Sequence, residues 1–177
     1  MASVPTLGVR AAQLGDTMKP YREIAALCVL QVICFFLLSH LEPDFFLLHF
    51  YQTIVYLALL ILLFYMEDRW AYMIGIIAPA AWLLMTFFSG LLGGAARQIL
   101  RLGTGHGFNN GVSLLAAIAA LLSILMIAAC ARRWIKEYAG LGKSLNTFAI
   151  SFGIVAVYYG ILVAWFWHII PFAAARN

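Results

Sequence analysis

The sequence predicts an all-α integral membrane protein: a bundle of five transmembrane helices, N-terminus cytoplasmic, C-terminus outside, with a short interfacial amphipathic helix between the third and fourth spans. Three observations predict it. Hydrophobic residues make up 65% of the 177 and charged residues only 10%, where a soluble domain carries roughly a quarter charged residues. The eleven Lys and Arg and seven Asp and Glu residues fall at the ends of, or between, five apolar runs, as expected when a charge in hydrocarbon is costly. The basic residues also sort by side. Arg10, Lys19, Arg22, Arg69, Arg132, Arg133, Lys136 and Lys143 share the N-terminal side, against Arg97, Arg101 and Arg176 on the other. That asymmetry places the N-terminus in the cytoplasm.

Residues 1–19 mix polarity around Pro5, Gly8 and Gly15 without a helical period, so a cytoplasmic tail is expected there. A single transmembrane domain then occupies residues 20–171. The first span, 20–39, opens with Pro20 at the favoured first helical position; it is longer than a signal-peptide core and is expected to be retained. His40-Leu41-Glu42-Pro43-Asp44 is too short for anything but a hairpin, with Asp44 the expected N-cap of the second span, 45–66. Glu67-Asp68-Arg69 turns the chain into the third span, 70–92, where Pro79 removes the backbone bond to Gly75. The fourth span, 112–131, is followed by a basic amphipathic piece, Arg132 to Tyr138, and a Gly-rich link. The fifth, 147–170, stops at Pro171 and leaves 172–177 as a tail.

Between the third and fourth spans, Leu92, Ala95, Ile99 and Leu102 repeat at helical spacing while Arg97, Gln98 and Arg101 take the other face. Gly94 to Leu102 therefore reads as an interfacial helix whose Arg97 and Arg101 meet lipid headgroups or clamp an anion. The glycine-rich run from Gly103 to Gly111 has neither a Walker pattern nor a preceding strand, which excludes a nucleotide loop. Asn109, Asn110 or Ser113 suits the N-cap of the fourth span.

Within the spans, polar and small residues form stripes. Ala149, Gly153, Ala156, Gly160 and Ala164 line one face of the fifth span, with His168 next along it. Ser113, Ala116, Ala120 and Ser123 offer a matching set on the fourth. Small residues let helix backbones approach closely in lipid, where packing replaces the hydrophobic effect, so spans three, four and five are expected to pack tightly. On the second span His49, Gln52, Thr53 and Tyr56 share a face, and Gln31 on the first is the expected partner of its deeper end. This polar seam reads either as interhelical hydrogen bonding or as a path for a ligand.

All four histidines, His40, His49, His106 and His168, belong to one side of the membrane under this topology. His49 and His168, on stripes expected to face inward, are the candidate ligands of a haem b or a metal ion, with His40 and His106 assisting. Glu42 and Asp44, the close outer acidic pair, are further candidate ligands from the adjacent loop, and their place beside a proline also reads as turn chemistry. Cys28, Cys34 and Cys130 have no ligand spacing and read as apolar fillers. No catalytic residue is assigned. The partners expected are the lipid bilayer and a membrane protein or a second copy of the chain, and the scattered basic residues exclude nucleic acid. The leading expectation is a non-enzymatic accessory, assembly or scaffold subunit of a cell inner membrane. A haem- or metal-binding redox component and a lipid or small-solute transporter are the alternatives.

Overall fold

The computed structural model describes residues 20–65, 68–105, 110–138 and 144–166. Those residues form six helices and one short 3-10 turn: α1 (Pro20–Leu41), the turn Pro43–Phe45, α2 (Phe46–Tyr65), α3 (Asp68–Phe88), α4 (Leu91–Gly103), α5 (Gly111–Tyr138) and α6 (Ser144–Phe166). All but α4 and the turn are long and apolar enough to cross a membrane. The chain is therefore a multi-pass helical membrane protein, because helices satisfy every backbone polar group internally in hydrocarbon. The expected tails at 1–19 and 172–177, and the end of the fifth span at 167–170, lie outside the described residues.

Glycine, proline and asparagine set the helix ends. Pro43 cannot continue α1, and it holds Glu42 in an extended conformation, φ −123° and ψ 77°. Asp44 sits inside the 3-10 turn rather than at the cap position expected of it, and α2 begins at Phe46. The third span ends at Phe88, earlier than expected. Gly90, at φ +76°, donates its N–H to Phe87 O and terminates the helix in the left-handed conformation that glycine adopts without strain. Asn110 Oδ1 accepts the Val112 N–H at 3.0 Å and is the N-cap of α5. The basic piece expected after the fourth span instead continues α5 without a break to Tyr138. No Gly or Pro interrupts Arg132 to Tyr138, and Arg133 and Glu137 pair at i, i+4, 4.0 Å apart.

Helices α1, α2, α3 and α5 close into a ring, with α4 lying on α5 and α6 docked outside on α3. The contacts between α1 and α5 run antiparallel in constant register. A Cβ on Gly111 would meet Leu41, Cys34 Sγ donates to Leu115 O, Gln31 reaches Ala119 and Ser123, and Arg132 pairs with Glu23 at 2.6 Å. At the centre Phe35 stacks on Tyr56 (centroids 5.7 Å) and meets the edge of Trp82 (5.4 Å), pairs worth ~0.5–1.5 kcal/mol each beyond their buried area. Gly75 lets α3 approach α5, since a Cβ there would lie 2.7 Å from Cys130 Sγ. Cys28, Cys34 and Cys130 are buried and unbridged.

One packing expectation is corrected. Helix α3 does pack on both α5 and α6, but α5 and α6 share no such interface. Helix α6 turns Thr147, Ser151, Val155, Tyr159 and Leu162 inward, and Ala149, Gly153, Ala156, Gly160 and Ala164 are all exposed on the opposite face. The inward positions carry the larger side chains, which fill the seam against α3 better than glycine and alanine would. The small residues of α5 are spent elsewhere. Ser123 bonds Gln31 on α1, and Ser113 lies 3.8 Å from where a Cβ on Gly94 of α4 would be.

Candidate polar site at the Glu42 end of the bundle

The polar face of α2 turns into the ring, where His49, Gln52, Thr53 and Tyr56 are all buried. Helical spacing brings them to one side, and the turn at Pro43 carries Glu42 back over the first of them. Glu42 Oε2 lies 3.2 Å from His49 Nε2. An ionised carboxylate only accepts, so Nε2 carries the proton in this pair; in the neutral ring Nδ1 is left as an acceptor. His49 Nδ1 is buried without a hydrogen-bond partner, and so is Gln52 Oε1 one turn deeper.

Thr53 is bonded locally, its hydroxyl donating to His49 O at 3.0 Å. Deeper still, the fully buried Gln31 donates from Nε2 to Ala119 O and to Ser123 Oγ, each at 3.3 Å. The Tyr56 hydroxyl lies beside Gln31 and Ser123 without reaching hydrogen-bonding geometry. The expected link between α1 and the polar face of α2 is thus made chiefly across the ring to α5. The seam is two pieces, a Gln31–Ser123 bridge in the middle of the bundle and a His49–Glu42 pair at its end.

A cavity of about 70 Å³ lies at that end, lined by Glu42, His49 and Gln52, by Thr86 of α3, and by the rings of Phe35 and Trp82. Leu91, Leu92 and Ala95 of α4 line it on one side. Thr86 Oγ1 donates to the carbonyls of Trp82 and Leu83, both at 3.0 Å, so only its lone pairs remain to be offered. The Glu42 side chain is 34% exposed, which joins the cavity to the surface.

The remaining sequence candidates fall elsewhere. His40 is exposed at the end of α1, and Arg97 and Arg101 are exposed on α4. His106 and His168 lie outside the described residues. The described part of the stripe leading to His168 faces away from the bundle, opposite to its expected direction. Among the described residues no three His, Cys, Asp or Glu side chains form a metal-binding group. The sequence offered Glu42 both as turn chemistry and as an added ligand from the loop, but it missed Thr86 and Trp82, which carry no pattern of their own. The signal for Glu42 was its place seven residues before His49 across a proline turn. The fold and site together define a multi-pass helical membrane protein with a small, mostly apolar pocket at one end that carries a few polar groups. No family model, curated protein or solved structure matches the chain.

Proposed function

We propose that this protein is a non-enzymatic accessory or assembly subunit of a bacterial-type inner membrane, acting through helix contacts. The N-terminus is cytoplasmic, the Glu42 end faces outward, and α4 lies in the outer interface with Arg97 and Arg101 toward headgroups. The carrying observation is the outward face of α6. Nothing lies within 4 Å of a Cβ built on Gly153 or Gly160, and α6 is the least buried span, at 28%. Small residues that serve no contact among the described residues still offer a flat, close-approach surface to a helix of a second copy or another membrane protein.

The test is the size of the complex recovered from lipid nanodiscs or mild detergent. Gly153→Leu and Gly160→Leu are expected to release the partner or dissociate the oligomer. Their unfolding midpoints should stay within the equivalent of ~0.5 kcal/mol of the parent, as for surface substitutions. Unchanged assembly in both variants would refute the reading. The redox alternative rests on His49, buried on the inward face of α2, and the transport alternative on the two-part seam.

A further inference from the structure

We propose that the cavity at the Glu42 end binds a small cation that donates hydrogen bonds: ammonium, or a small primary amine such as methylammonium. This site is separate from the helix-contact face of α6 and does not depend on it.

The polar lining is biased toward acceptors. Glu42 contributes a carboxylate; His49, with Nε2 turned to Glu42, has Nδ1 as an acceptor; Gln52 contributes Oε1; and Thr86 has its hydrogen committed to the backbone. His49 is 9% exposed and Gln52 5%, so their unpartnered atoms carry the cost of burial without a hydrogen bond. Among the described residues, Glu42 is the one carboxyl group lining the cavity, and no Lys or Arg lines it. A cation with several N–H donors answers both the charge and the acceptor excess, which water, with two donors and no charge, does not.

The walls narrow the class. Phe35 and Trp82 present rings to the same space, and aromatic faces attract a desolvated ammonium. At about 70 Å³ the cavity has ample room for a small cation, since ~10–15 Å³ of such volume is enough to hold one water. Hard alkali and alkaline-earth cations prefer an all-oxygen shell to one that includes an imidazole nitrogen. A transition metal would draw on a third His, Cys, Asp or Glu, and no such group exists among the described residues.

The experiment measures thermal unfolding of the full chain in nanodiscs, titrated at constant ionic strength with ammonium, methylammonium, potassium or tetramethylammonium chloride. Ammonium and methylammonium are expected to raise the midpoint in a saturable manner, as any ligand of the native state does. Potassium and tetramethylammonium have the charge without hydrogen-bond donors, so neither should do so. Glu42→Gln is expected to weaken the ammonium effect about tenfold or more, the scale of one charge-assisted hydrogen bond, and Arg97→Gln to leave it unchanged. An equal response to ammonium and potassium, or no response to either, overturns the proposal in the parent protein alone, whether or not a variant folds. A full ammonium effect in Glu42→Gln overturns it as well.

Discussion

Tyr51 and Tyr158 clasp α2 to α6 by a reciprocal exchange, each hydroxyl donating to the other residue's backbone carbonyl, with their rings stacked 4.4 Å apart. The two helices touch little elsewhere. Below the clasp they diverge around an apolar groove lined by Ile54, Ala58 and Leu62 on one side and Ile154 and Val155 on the other. The clasp therefore ties α6 to α2 beside its main interface with α3.

Removing the hydroxyls tests that role. Tyr51→Phe and Tyr158→Phe keep the stacked rings and delete one bond each. Each is expected to cost about 0.6 kcal/mol and no more than about 1.7, the measured range for interhelical hydrogen bonds in membranes. A double-mutant cycle on unfolding in detergent should show coupling between the two positions. Strictly additive losses would mean that the two bonds form independently.

Gly75 tests the approach of α3 to α5. A Cβ there would meet Cys130 Sγ at 2.7 Å and Leu59 Cδ2 at 3.4 Å. Gly75→Ala gains helix propensity, yet the overpacking of ~1–3 kcal/mol should dominate and lower the unfolding midpoint. Adding Cys130→Ala removes the sulfur and should recover most of the loss. A Gly75→Ala variant as stable as the parent would show that the contact yields at no cost.

Orientation is open to labelling because the three native cysteines, Cys28, Cys34 and Cys130, are buried and supply little background. Gly103→Cys, exposed at the end of α4, is expected to react with a membrane-impermeant maleimide added to intact cells stripped of their outer envelope. Lys136→Cys, exposed near the end of α5, should react only after the membrane is opened. The reverse pattern would place the N-terminus outside.

The His49 pair bears on the redox alternative. An imidazole that ligates haem through Nε2 would have to leave Glu42, 3.2 Å away. The protein purified in mild detergent is expected to show no Soret band, oxidised or reduced with dithionite. A band that disappears in both His49→Ala and His168→Ala would replace the accessory reading with the redox one.

The class of this protein was legible residue by residue. Charges at the ends of five apolar runs, Pro20 and Pro43 at helix boundaries and Asn110 before α5 all act through local rules, so span count and most helix limits follow without the fold. The polar face of α2 was legible too, since His49, Gln52, Thr53 and Tyr56 share a side of any helix built on that stretch. Where local signals competed, boundaries moved. Gly90 ended α3 early, and the unbroken helix formers from Arg132 onward carried α5 past its expected limit.

Tertiary structure alone decided what each stripe faces. Periodicity shows that Ala149, Gly153, Ala156, Gly160 and Ala164 lie together, but a stripe of small residues suits a contact inside the bundle or with a partner helix alike. The inward face of α6 was settled by how Ser151, Val155 and Tyr159 fill the surface of α3 and by the clasp at Tyr158. The same holds for the site. Glu42 reads as a turn residue until the return of the chain at Pro43 sets its carboxylate against His49, and Thr86 gains a role only because α3 brings it to the same cavity. Sequence determines which groups each helix carries, since that depends on the chain's own geometry. Which of those groups meet depends on side-chain shape across neighbouring helices, and the fold alone supplies it.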